Sequence, residues 1–127
     1  MDKLERAKAL RGDPHTHYNC AQAVAMAWAG ECGLGEEEMR RLSAHFGGGM
    51  RHGATCGAVT GALMVLGLLG GSEEEAKTLL GEFQDKNGFL DCARLLQAAA
   101  DRGEERKSHC DRMVCDAVGL LEEILEK

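Results

Sequence analysis

The sequence predicts an all-α protein, a compact bundle of about five to seven helices around a central apolar, glycine-containing helix at about 56–69. Three observations predict it. Alanine and leucine are abundant and β-branched residues few, which favours helix. Aromatics make up only 4% of the chain and proline occurs once, at Pro14, so glycine is the main helix breaker. Apolar residues follow four of the cysteines at i+3, i+4 and i+7, the period of a helix with one buried face. A length of 127 residues suits one domain, 1–127, able to bury a core without disulfides or metal.

Breakers and caps divide the chain into about seven helical pieces. The first, about Asp2 to Arg11, stops at Gly12-Asp13-Pro14. The second runs from about Cys20 to Cys32 and is stopped by Gly33 and Gly35. The third, Glu36 to Phe46, opens on three acids, which suit a helix N-terminus. Gly47-Gly48-Gly49 begins a loop that reaches Gly53. The fourth, Cys56 to about Leu69, is apolar all round and is expected at the centre; Gly57 and Gly61 let a neighbouring helix approach closely. Ser72 caps the fifth, which carries Glu73-Glu74-Glu75 in its first turn and ends near Asn87-Gly88. A sixth starts at Cys92 and fades near Arg102-Gly103, and the last runs from about Cys110 to Leu125.

A net charge of −6 argues against nucleic acid or an anionic membrane surface as partner, since either calls for a basic patch. The uncharged stretch Thr55 to Ser72 is rich in glycine and reads as a buried helix, so no stable membrane insertion is expected. Met1 to Arg11 has no secretory character. The expected location is cytoplasmic, where thiols stay reduced and six cysteines suggest metal or redox work.

Asn19, Thr55, Asp91 and Ser108 stand just before Cys20, Cys56, Cys92 and Cys110 (in the last case with His109 between), and each is a favoured N-cap residue. Each of these sulfurs is therefore expected in the first turn of a helix. There the dipole and unpaired N–H groups lower a thiol's pKa. The apolar stripes after them (Val24, Ala27; Val59, Leu63; Leu95, Leu96; Met113, Val114) put each sulfur on a buried face. Alternating helix directions would bring Cys20, Cys56 and Cys92 to one pole of the bundle, with Cys110 joining them. His15, His17, His45, His52 and His109 fall near that pole, with His17, His52 and His109 as candidate extra ligands. Cys32 and Cys115 lack the arrangement and read as small buried hydrophobes.

Asn19-Cys20-Ala21-Gln22-Ala23-Val24, Phe46-Gly47-Gly48-Gly49-Met50 and Thr55-Cys56-Gly57-Ala58-Val59-Thr60-Gly61-Ala62 resemble the C_GCAxxG_C_C family of redox-active proteins. Its hallmark is a Cys-Gly-Ala-x-x-Gly motif among four dispersed cysteines. Cys92-Ala93-Arg94-Leu95-Leu96 and Cys110-Asp111-Arg112-Met113-Val114 look like its third and fourth cysteine segments. The resemblance implies a small helical prokaryotic protein with a redox role. The chain departs from the usual pattern in its extra cysteines and in His15 and His17.

Three functions compete. The first is electron transfer through a metal ion or iron–sulfur centre held by Cys20, Cys56, Cys92 and Cys110. Against it, no C-x-x-C occurs and the ligand spacings of 36, 36 and 18 are unfamiliar. The second is cofactor-free thiol–disulfide exchange, with Cys56 as the attacking thiolate and another of the four resolving; the lack of C-x-x-C counts here too, although a resolving cysteine need only be near in space. Either makes the protein a candidate oxidoreductase whose partner is a redox protein or a small-molecule oxidant. The third is a non-catalytic metal carrier or interaction module, with Gly48, Gly49 and Gly57 offering backbone to an anion or cofactor. A homo-oligomer is compatible with all three.

Overall fold

The computed structural model describes residues 2–126. Seven α-helices follow one another: α1 (Lys3–Arg11), α2 (Cys20–Ala27), α3 (Glu36–Leu42), α4 (Gly57–Leu68), α5 (Glu73–Asn87), α6 (Cys92–Asp101) and α7 (Arg106–Leu125). No strand occurs among the described residues, only an isolated antiparallel bridge between Thr55 and Asp91. None of the described helices is long and apolar enough to cross a membrane.

The helix starts follow from side-chain caps. Asp2 with Glu5, Asn19 with Gln22 and Ser72 with Glu75 form reciprocal capping boxes that open α1, α2 and α5. At the other end of α5, Gly88 adopts φ +88°, the left-handed conformation that closes a helix.

Three boundaries differ from the sequence expectation. The second helix ends at Ala27 instead of Cys32, because the bonds tighten to i−3 at Trp28 N–H to Ala25 C=O (3.2 Å) and Ala29 N–H to Met26 C=O (3.2 Å). The third ends at Leu42, where the Ser43 hydroxyl donates to the Met39 carbonyl at 2.6 Å and the following turns again tighten. The last begins at Arg106 with Glu105 as its N-cap, a full turn before Cys110. Ser108 is thus inside the helix and not its cap.

The core draws on every helix. Phe83, Met39, Leu66, Leu79, Met113 and Leu121 are among its largest fully buried side chains, each contributing roughly 1.5–3 kcal/mol by burial. Helix α4 is buried along much of its length, as its composition implies. However, α7 is equally central, since it packs on α1, α2, α4, α5 and α6. The tightest crossing joins α2 to α4. A Cβ on Gly61 would lie 2.8 Å from the Ala21 carbonyl oxygen, and one on Gly57 would lie 3.1 Å from the Ala21 backbone nitrogen. Only glycine admits that approach, and the approach is what brings the N-terminal ends of α2 and α4 together.

The glycine loop is a left-handed turn. Gly48 (φ 62°), Gly49 (φ 65°), Met50 (φ 56°) and Arg51 (φ 66°) occupy the left-handed region in succession. For Met50 and Arg51 this stores strain of order 1–3 kcal/mol each. Gly49 is wedged against α6, for an added Cβ would stand 2.8 Å from the Cβ of Cys92.

Candidate functional site: a cavity walled by four cysteines

Cys20, Cys56, Cys92 and Cys110 all line one cavity of about 650 Å³, within the ordinary size range of small-molecule sites. Each arrives by a different local device. Cys20 is the first residue of α2, fixed by its neighbour Asn19: Asn19 Oδ1 accepts the Gln22 N–H at 2.8 Å and its Nδ2 donates to the Ala44 carbonyl at 3.0 Å. Gly47 leaves room for that cap, as its Cβ would collide with Asn19 at 2.4 Å.

Cys56 and Cys92 are placed together by the short bridge. The Cys56 N–H donates to the Leu90 carbonyl at 2.8 Å and the Cys92 N–H to the Ala54 carbonyl at 2.6 Å. Cys56 is itself the N-cap of α4, the position expected for Thr55, and Cys92 is the first residue of α6. Cys110 lies in the second turn of α7, not the first. It meets the other sulfurs because α7 runs past the cavity, not because a helix begins there.

The thiols differ sharply. The Cys20 and Cys110 side chains act directly on one another. That interaction, with help from the Arg11 and Arg106 guanidinium groups, draws the Cys110 thiol down to about 6 from an ordinary 9.0. Cys20 is driven well up by the same interaction, by burial and by the charge of Cys110. The two thiols therefore titrate as a pair, and the first proton leaves that pair below the ordinary thiol range.

Cys56 departs from its expected activation. Burial pushes its thiol up to about 11, although the Ala58 and Val59 amides pull it the other way. Burial raises Cys92 as well. Helix N-termini do supply amide donors, but removal from water outweighs them here.

Arg11 was not a sequence candidate. Its side chain is only 7% exposed; Nε donates to Asp111 Oδ1 at 2.7 Å and Nη1 to the Tyr18 carbonyl at 2.8 Å. So held, its charge acts on both Cys20 and Cys110. Nothing local marks an arginine at the end of a charged helix; its role depends on contacts with distant residues. Arg106, the first residue of α7, also faces the thiols, acting on Cys92 and Cys110.

The histidines separate. His15, His17 and His109 line the cavity, whereas His45 and His52 are exposed and stand outside its wall. His109 is 2% exposed and also borders a second cavity. Its Nδ1 lies 3.7 Å from Glu104 Oε1, beyond hydrogen-bond reach, and has no partner. Glu104 is gripped by Arg112 at 2.9 and 3.2 Å and by Arg102 at 2.7 Å. Gly48 and Gly57 line the cavity, while Gly49 packs between Ala54 and Cys92. Cys32 and Cys115 are half-buried away from the cavity wall.

Among the described residues, no three His, Cys, Asp or Glu donors stand close enough together to hold a metal ion. All six cysteines are free thiols.

These features define a helical, cysteine-rich protein with four of its six thiols gathered on one cavity. Residues 18–124 match the family model described as "Putative redox-active protein (C_GCAxxG_C_C)", and the chain belongs to that family. No curated protein and no solved structure matches it.

Proposed function

We propose that the protein is a cofactor-free thiol–disulfide redox protein in which Cys110 attacks and Cys20 resolves. What carries this is that Cys20 and Cys110 share one cavity wall with Arg11 and Arg106 and act directly on one another, with Cys110 drawn down to about 6. At pH 7 such a thiol is about nine-tenths thiolate, against about one-hundredth for a thiol at its ordinary value.

The Cys110 thiolate attacks one sulfur of a substrate disulfide. The substrate S–S bond breaks, one substrate thiolate leaves, and Cys110 is held in a mixed disulfide. Cys110 then has no charge. The two largest influences of Cys110 on Cys20 disappear, while Arg11 still favours its thiolate. Cys20 gives its proton to the departing thiolate, and the Cys20 thiolate so formed attacks Cys110 Sγ, breaking the mixed disulfide and releasing the second substrate thiolate, which takes a proton from water. One protein thiolate and one protein thiol are oxidised to a disulfide, and one substrate disulfide is reduced to two thiols. Attack by Cys110 on the substrate is therefore what activates Cys20.

A second reading is electron transfer through a metal or iron–sulfur centre on Cys20, Cys56, Cys92 and Cys110. What supports it is that all four line one cavity. The donors would have to draw closer than they stand, so no step is derived through such a centre. Anaerobic purification with metal analysis, an absorption spectrum and thiol titration separates the two. Thiol exchange requires a colourless, metal-free protein that consumes disulfide; stoichiometric iron with visible charge-transfer bands would reject it.

A further inference from the structure

We propose that the substrate of this site is a small disulfide bearing carboxylate groups, not a protein disulfide, with Arg106 as the group that receives a carboxylate. The proposal rests on the thiol-exchange reading. Its first support is size. Cys20 and Cys110, both partly buried, line a half-open cavity of about 650 Å³, a space that admits a molecule of small-peptide size. A disulfide on a folded protein would have to enter that cavity on a protruding loop.

The second support is charge. The chain carries 21 acidic and 15 basic residues, yet the cavity wall is evenly balanced, with Arg11, Arg106 and Lys107 against Asp13, Glu105 and the Cys110 thiolate. Most of these charges are already engaged. Arg11 is bound to Asp111 and the Tyr18 carbonyl. Lys107 donates to the Arg11 carbonyl at 3.1 Å and lies 3.3 Å from Asp111. Asp13 accepts the N–H groups of His15 at 2.8 Å and Thr16 at 2.9 Å. Arg106 has no ion pair or side-chain hydrogen bond among the described residues, and its charge reaches Cys92 and Cys110. A guanidinium left open beside a reactive thiolate suits a planar, two-pronged bond to a carboxylate. Glu105 is the opposing open charge on the same wall, so it tempers the preference instead of setting it. Leu95, Leu96 and Met113 give an apolar surface for the body of the ligand.

The test follows oxidation of the fully reduced protein by three disulfides at low ionic strength: glutathione disulfide (anionic), cystamine (cationic) and insulin (a protein disulfide). Each rate is divided by the rate of the same disulfide with mercaptoethanol, which removes intrinsic reactivity. The expected order is glutathione disulfide, then cystamine, then insulin, with the first ratio shrinking as salt is added. Arg106→Glu should lower the glutathione-to-cystamine ratio roughly threefold to tenfold, and Glu105→Gln should raise it, as expected of single exposed charges near a bound ion. Cystamine reacting as fast as glutathione disulfide, or insulin matching either, would overturn the substrate class while leaving thiol exchange standing. If none of the three oxidises Cys20 and Cys110, the exchange reading falls and this proposal with it.

Discussion

Arg11 Nε lies 2.7 Å from Asp111 Oδ1, one hundred positions along the chain. The contact ties the end of α1 to α7 one residue after Cys110, and it fixes a buried guanidinium beside the Cys20–Cys110 pair. Arg11→Met should therefore act twice. It removes a charge that favours the Cys110 thiolate, so the Cys110 titration midpoint should rise from about 6. It also breaks a partly buried charged pair, costing about 1–3 kcal/mol in denaturant unfolding. Arg11→Lys should restore only part of either, since an ammonium cannot reproduce the two-directional donation to Asp111 and the Tyr18 carbonyl. An unchanged Cys110 midpoint in Arg11→Met would remove Arg11 from the site.

Cys20 should set the reactivity of Cys110 even more strongly, because it is the largest influence lowering that thiol. In the wild type the alkylation rate at Cys110 should rise with pH around a midpoint near 6 and level off above it. In Cys20→Ala the midpoint should move up towards an ordinary thiol, leaving much less thiolate at pH 7. Iodoacetamide labelling with mass-spectrometric readout at Cys110 measures both curves; superimposable curves would contradict the direct action of Cys20 on Cys110.

Much of this was legible in the chain. The reciprocal caps at Asn19 and Ser72 mark helix starts because their bonds are local, and glycine spacing at Gly57 and Gly61 announces a close crossing. The gathering of Cys20, Cys56 and Cys92 on one cavity follows from helix order. What was not legible depends on tertiary surroundings. A cap residue before Cys56 speaks for a lowered thiol pKa, but only the folded structure reveals how completely that sulfur is removed from water. Cys110 owes its acidity to Cys20, Arg11 and Arg106, partners that no local pattern connects. The bridge of Thr55 to Asp91 was likewise hidden, since neither segment is long enough to read as a strand.

Glycine spacing yields a matched pair of substitutions. Gly61→Ala should destabilise by about 1–3 kcal/mol, because the new methyl meets the Ala21 backbone, which cannot yield as a side chain would. Gly67→Ala, in the same helix with nothing within 4 Å of the new Cβ, should stabilise by about 0.5–1 kcal/mol through helix propensity alone. Equal effects in thermal or denaturant unfolding would refute the tight α2–α4 crossing.

Acid should loosen the fold in two separate windows. Arg112 and Arg102 hold the Glu104 carboxyl at about 2, below its ordinary 4.5. The stability this gives is present above 4.5 and is lost as pH falls towards 2. Burial holds His109 below its ordinary 6.5. The unfolded chain then takes up the proton more readily, so stability falls as pH drops through and below 6.5. Glu104→Gln should flatten the lower window of the unfolding midpoint against pH, and His109→Gln the upper one. A wild-type profile flat from pH 7 to pH 3 would contradict both assignments.

The central claim is that Cys20 and Cys110 form the redox pair, and the most direct measurement is the identity of the first disulfide formed. Reduced protein is treated anaerobically with one equivalent of a small disulfide, quenched in acid, and mapped by peptide mass spectrometry with differential alkylation. The prediction is a Cys20–Cys110 disulfide, with Cys32, Cys56, Cys92 and Cys115 still reduced. A first disulfide between Cys56 and Cys92, or a stable mixed disulfide on Cys110 that Cys20 never displaces, would contradict it.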